Sequence, residues 1–108
     1  MIPKLNPKIT GIIGFAARSG KLLLGKYSVE QGIKSKKAKI VLASEDMSAK
    51  RREVLRLWCT DMDIPFLTLG SKEEYGALLK KPPLGLMALT DANMVLGIIA
   101  AAKTNGGD

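Results

Sequence analysis

The sequence predicts an α/β protein: a three-layer α/β/α sandwich around a small four-stranded sheet, largely parallel or mixed. Two patterns carry this. Short apolar runs at residues 22–24, 40–43, 64–69 and 85–89, bounded by glycine, proline or charge, have the length and composition of buried strands. Around and between them, apolar residues recur at three- and four-residue spacing, as they do on one-sided helices. Strict alternation of helix and strand, with short connections, calls for helices on both faces of a largely parallel or mixed sheet.

Asn6 before Pro7 is an N-cap with proline at the first helical position, and Ile9, Ile12, Ile13, Ala16 and Ala17 mark the inward face of a helix that stops near Ser19-Gly20. Leu22, Leu23 and Leu24 form a strand closed by Gly25. Ser28, with Gln31 three residues on, has the spacing of a capping box for a second helix, in which Gly32 is an unfavourable residue. Ile40-Val41-Leu42-Ala43 suits a strand buried on both faces.

Residues 48–62 place Val54, Leu55, Trp58, Cys59 and Met62 on one side of a third helix. Its first turns carry Lys50, Arg51 and Arg52, each opposing the helix dipole by roughly a few tenths of a kcal/mol. Such an arrangement calls for a reason other than stability. Residues 64–69 form the third strand, with Pro65 near its start, where a missing N–H does least harm. Ser71-Lys72-Glu73-Glu74 is a capping box with two acids in the first turn of a fourth helix that stops before Pro82-Pro83. Residues 85–89 are the fourth strand and Asp91 to about Lys103 the fifth helix. Residues 105–108 have no apolar content and are expected to fray, leaving one domain over residues 1–104.

The 108 residues, 46% of them apolar, suffice for one core without disulfides or a structural metal. There is no His and one Cys, which removes the commonest general base, the usual zinc clusters and any intrachain disulfide. No secretory or transit signal opens the chain, and the expected compartment is the cytoplasm. Residues 84–102 approach the length of a membrane helix, but Thr90, Asp91 and Asn93 interrupt them and make a good helix start, so no membrane partner is expected. The net charge of +7 is unevenly spread. Residues 1–52 hold twelve Lys and Arg against three Asp and Glu, and residues 53–108 hold five against seven, so the excess in the first half points to a polyanionic partner.

Several motifs are weaker than they look. Gly14, Gly20 and Lys21 suggest a phosphate loop, but five residues separate the glycines where four are needed, Leu22 replaces the magnesium-binding hydroxyl, and a helix precedes them. Glu45-Asp46 fits a helix-start acid beside the Lys50 cluster better than acid–base work. Cys59, with no His to activate it, reads as core, as do Trp58 and Met62. No catalytic residue, metal or cofactor is expected. What remains is basic: Arg18, Lys21, Lys26, the lysines from 34 to 39, and residues 50–52. At Gly25-Lys26-Tyr27-Ser28 a strand hands over to a helix, where unpaired N–H groups and the positive dipole end favour a phosphate. Lys26 and Ser28 add polar contacts there, and Tyr27 a ring on which a base can stack.

At this junction the chain begins to resemble the L-seven-Ae and L-thirty-e ribosomal-protein superfamily, and within it the small bacterial L-seven-Ae-like proteins. The stretch GKYSVEQGIKSKKAKIVLASED follows the family pattern of Gly, a polar helix start, a basic helix end, Ala-Lys-hydrophobic-Val and Ala-x-Glu-Asp. Cys59, Ile64-Pro65, residues 70–74 and Tyr75-Gly76 have family counterparts further on, and the likeness covers residues 12–102. The resemblance implies an L-thirty-e-like sandwich that binds kink-turn or other structured RNA in a ribosomal or ribonucleoprotein setting. It nominates Gly25, Lys26, Tyr27, Ser28, Gln31, Lys34 and Lys37 around helix two, then Glu45, Ile64, and Lys80, Lys81, Pro82 and Leu84 before the last strand.

The family's kink-turn readers carry Gly-x-Asn-Glu-x-x-Lys, and the Asn, Glu and Lys places here hold Tyr27, Ser28 and Gln31. Base-edge contacts are therefore reduced while phosphate attraction is kept. Lys80 stands where a family glycine is common. The expectation is a monomeric, non-catalytic protein that binds structured RNA, with the ribosome as one setting. The alternative is a protein-interaction module on the same fold that has lost tight RNA recognition.

Overall fold

The computed structural model describes residues 4–106. Nine elements follow in the expected order: α1 (Pro7–Arg18), β1 (Leu22–Leu24), α2 (Gly25–Lys34), β2 (Ile40–Ala43), α3 (Ala49–Asp61), β3 (Phe66–Thr68), α4 (Lys72–Leu79), β4 (Leu86–Leu89) and α5 (Ala92–Gly106). The expected tail starts at 105, but the described helix runs through Gly106, and residues 107–108 lie outside the described residues. One sheet has the order β1-β4-β2-β3. It is mixed: β4 is antiparallel to both neighbours and only β2 and β3 are parallel.

Successive residues of a strand point to opposite faces, and both faces are covered here. Ile40 and Leu42 of β2, with Met87 and Leu89 of β4, pack with Ile9 and Ile13 of α1, Tyr75 of α4 and Ile98 of α5. Val41 and Ala43, with Leu86 and Ala88, pack with Val29 and Ile33 of α2 and Leu55 and Cys59 of α3. This explains why the two central strands read as unbroken apolar runs. The buried helix stripes are narrower than the spacing suggests. Ala17 and Val54 are exposed, since a run at three- and four-residue intervals is wider than the strip one sheet face covers.

Three helix starts follow local chemistry. The side chains of Asn6, Ser48 and Ser71 accept hydrogen bonds from the backbone N–H groups of Ile9, Arg51 and Glu74. α2 does not: its N-cap is Leu24, four residues before the expected Ser28 cap, and has no side-chain cap. Gly25, at φ +83°, turns the chain directly out of β1 and leaves Ser28 inside the first turns. Gly32 packs closely on β1: a Cβ at that place would meet Leu23 Cδ1 at 2.5 Å, so the end of that side chain would have to move. β3 is shorter than predicted, starting at Phe66. The Ile64 N–H closes α3 by donating to Cys59 O at 2.8 Å, and Pro65 has no N–H to give.

Helices α1 to α4 are each followed by a left-handed residue: Gly20, Lys36, Asp63 and Lys80. Three of the four are not glycine, so a strain that glycine lacks persists at each. Lys36→Gly is expected to stabilise the fold by about 0.5–1 kcal/mol after the loss of unfolded-state restriction, raising the melting temperature by a few degrees in a thermal circular-dichroism scan.

Candidate nucleic-acid interface

Because β1, β2 and β3 run in one direction and β4 in the other, the last residues of the first three strands and the first of β4 lie at one end of the sheet. That end carries the start of α2, residues 44–46, the start of α4 and the approach to β4. Backbone hydrogen bonds tie these segments together: Ser44 N–H donates to Gly85 O at 2.9 Å, Glu45 N–H to Gly70 O at 2.9 Å, and Leu84 N–H to Lys72 O at 3.3 Å.

Two side chains brace the same end. The Asp46 carboxylate accepts from the Lys72 N–H at 3.1 Å, so it is a helix-start acid for α4, not for α3 as its neighbourhood in sequence suggests. The Ser44 hydroxyl above all, then the Lys72 N–H and the Lys72 charge, hold the Asp46 carboxyl below the usual range against the desolvation that opposes them. Ser44 Oγ is buried and meets no partner at full hydrogen-bonding geometry among the described residues. The Arg52 guanidinium donates to Glu45 O at 3.1 Å and Met47 O at 2.9 Å. It therefore belongs to the loop's own architecture, and the cations of α3's first turn without a side-chain partner among the described residues are Lys50 and Arg51.

Of the nominated residues, Gly25, Lys26, Tyr27, Ser28, Glu45 and Leu84 share this end, with Lys80, Lys81 and Pro82 in the connection that leads into it. Lys26, Ser28, Gln31, Glu45, Lys80, Lys81 and Pro82 are exposed, and Tyr27 is 76% exposed. Leu84 is partly buried against the core. Others are placed elsewhere. Ile64 is 8% exposed, packed in the α2/α3 core at the opposite end of the sheet. Lys37 also lies at that far end, between α2 and β2, and Lys34 closes α2 about 12 Å along the helix from Lys26.

The α2/α3 face carries a groove. Lys26 and Glu30 of α2 face Lys50, Arg51 and Val54 of α3 across it. It continues past Trp58, with Lys34 and Asp61 on its walls. Lys34 Nζ sits 5.8 Å from the Trp58 ring centroid. Trp58 and Met62, expected in the core, are only partly buried at its edge, whereas Cys59 is fully buried and burial pushes its thiol up to about 11. The thiol is thus neutral at physiological pH and fills space. Among the described residues no cluster of His, Cys, Asp or Glu is placed to hold a metal, and no helix is long and apolar enough to cross a membrane.

The model of the ribosomal protein L7Ae/L30e/S12e/Gadd45 family matches residues 8–95. The chain belongs to this family. Similar proteins include two named RNA-binding protein YlxQ. The one from Enterococcus faecium is 31% identical over 75 residues, covering 69% of this chain and 73% of that protein. The one from Bacillus subtilis (strain 168) is 26% identical over 91 residues, covering 82% and 91%. Among solved structures, a protein of unknown function from Bacillus halodurans superposes with a TM-score of 0.85 at 22% identity, covering 91% of this chain and 99% of the other. The Giardia lamblia 15.5kD RNA binding protein superposes with a TM-score of 0.73 at 18% identity, covering 98% and 94%. These two share the fold.

In this member of the L7Ae family the connection into β4 is seated on a glycine. Lys81 N–H donates to Gly76 O at 2.9 Å, and a Cβ on Gly76 would stand 2.7 Å from Lys81 O and 2.9 Å from Pro82 O. Those are backbone atoms that cannot rotate away. Gly76→Ala is expected to cost about 1–3 kcal/mol as overpacking and to displace residues 81–82, read as a lowered urea midpoint and altered amide shifts in that loop. A glycine inside a helix was a visible signal for this seat. Asp46 gave none, because its partner is 26 residues away.

Proposed function

We propose that the chain is a non-catalytic RNA-binding protein that takes a kink-turn or another structured RNA at the end of the sheet where α2 begins. The observation that carries this is the meeting of Gly25, Lys26, Tyr27 and Ser28 with Glu45 and the approach to β4. It makes a composite surface from segments far apart in sequence. Family membership and the names of the Enterococcus and Bacillus relatives support the RNA class.

The chemistry at that surface favours backbone and shape over base edges. Gly25 lets the chain turn while leaving open space above its Cα, with no atom within 4 Å of a Cβ position. Lys26 supplies charge, and the exposed Tyr27 ring offers a stacking face that tolerates any base. The single domain of residues 1–104 acts as a monomer in the cytoplasm, in a ribosomal or other ribonucleoprotein setting.

The test is a gel-shift titration against a kink-turn stem, the same stem with its G·A pairs replaced, and a plain duplex, each at two salt concentrations. The kinked stem is expected to bind tightest. Contacts to about five phosphates predict roughly a few hundredfold loss of affinity between 50 and 200 mM salt. Equal binding to all three removes the kink preference and leaves general RNA binding; binding insensitive to salt removes the phosphate surface.

A further inference from the structure

Lys50 and Arg51 have no structural employment. They stand in the first turn of α3, against the helix dipole, and neither side chain makes a hydrogen bond or ion pair among the described residues. Across the α2/α3 groove they face Lys26, and Lys34 lies farther along, over Trp58. Between these cations the floor is apolar: Val54 is 43% exposed and Trp58 partly so. Glu30 and Asp61 line the same groove, so four cations outnumber two acids.

We propose that this groove holds unpaired nucleotides flanking the structured RNA, with phosphates on Lys50, Arg51 and Lys34 and a base lying on Val54 and Trp58. The proposal rests on the RNA-binding function above and extends it along α2, with Lys26 common to both surfaces. A duplex hides its base faces and has no use for an apolar floor, whereas an unpaired strand presents charge and a flat apolar face together. It also gives Lys50 and Arg51 a role that compensates for their cost to the helix.

Fluorescence anisotropy on the full chain tests it with three RNAs at one salt concentration: a blunt kink-turn stem, the same stem with a tail of six unpaired uridines at each end, and an unstructured uridine dodecamer. The variant is Lys50→Gln with Arg51→Gln, which removes the dipole conflict and is expected to melt no lower than the native chain. Tails are expected to tighten binding about tenfold in the native chain, as one stacked base provides. The gain should vanish in the variant while blunt-stem affinity changes by less than about threefold. Tails that add nothing, or that add equally in the variant, overturn the groove and leave the structured-RNA surface standing. A dodecamer that binds and loses binding in the variant, with no binding of the blunt stem, does the reverse.

Discussion

Lys26→Glu combined with Lys34→Glu is expected to lower affinity for a kink-turn stem with unpaired tails by about a hundredfold or more near physiological salt, with the melting temperature changed by no more than a few degrees. Both residues are exposed, and neither holds an ion pair among the described residues. Lys26 lies in the first turn of α2, where a carboxylate is favoured by the helix dipole, and Lys34 closes the same helix, where it is disfavoured. The two dipole effects oppose each other, and the loss of the Lys34 contact with Trp58 is the main structural cost. Binding has no such compensation, because each change turns an attraction for phosphate into a repulsion. Anisotropy and a thermal melt on one preparation read both quantities. Native affinity in the double variant would place the RNA on another face, such as the α1/α5 side where Phe15 and Leu96 are exposed.

Tyr75→Ala is expected to cost about 3–5 kcal/mol, and Tyr75→Phe about 1–3 kcal/mol. Tyr75 is among the largest fully buried side chains, and its hydroxyl donates to Leu69 O at 2.7 Å, fastening α4 to the segment that leaves β3. Desolvation first, and then the Glu74 and Asp46 charges, push its pKa far upward, so it stays a neutral donor throughout the working range. Alanine leaves a cavity at the centre of the α1/α4/α5 layer. Phenylalanine keeps the packing and strands the Leu69 carbonyl. Against a total stability of about 5–15 kcal/mol, the alanine variant should unfold at a much lower denaturant midpoint. Equal midpoints for the native and phenylalanine proteins would mean that Leu69 O finds another partner.

Local chemistry is what the sequence discloses well. The Asn6 and Ser71 caps and the two central strands are legible because each depends on neighbours within a few residues or on burial of both faces. Ser28 has the spacing of a cap, yet Gly25 turns the chain first, and that positive φ is not encoded in a capping pattern. Ile64 looks like a site residue by resemblance, but its N–H belongs to the end of α3 and its side chain to the core. For the candidate surface, Gly25 and the cations announce themselves. Asp46 capping α4 emerges only when the sheet register brings segments 26 residues apart to one end, and Arg52 bonding to Glu45 O only when the loop before α3 folds back on it. The lysine that stands at a common family glycine, Lys80, sits at φ 57°, the conformation glycine accepts most easily.

Where RNA touches the protein is read directly from amide NMR shifts as a kink-turn stem is titrated into the labelled chain. Perturbations should concentrate at residues 25–28, at Glu45 and at Lys80, Lys81 and Leu84, with Ile64 and the α1/α5 face unchanged. Shifts confined to Phe15, Leu96 and their neighbours, or to the lysines between α2 and β2, would contradict it.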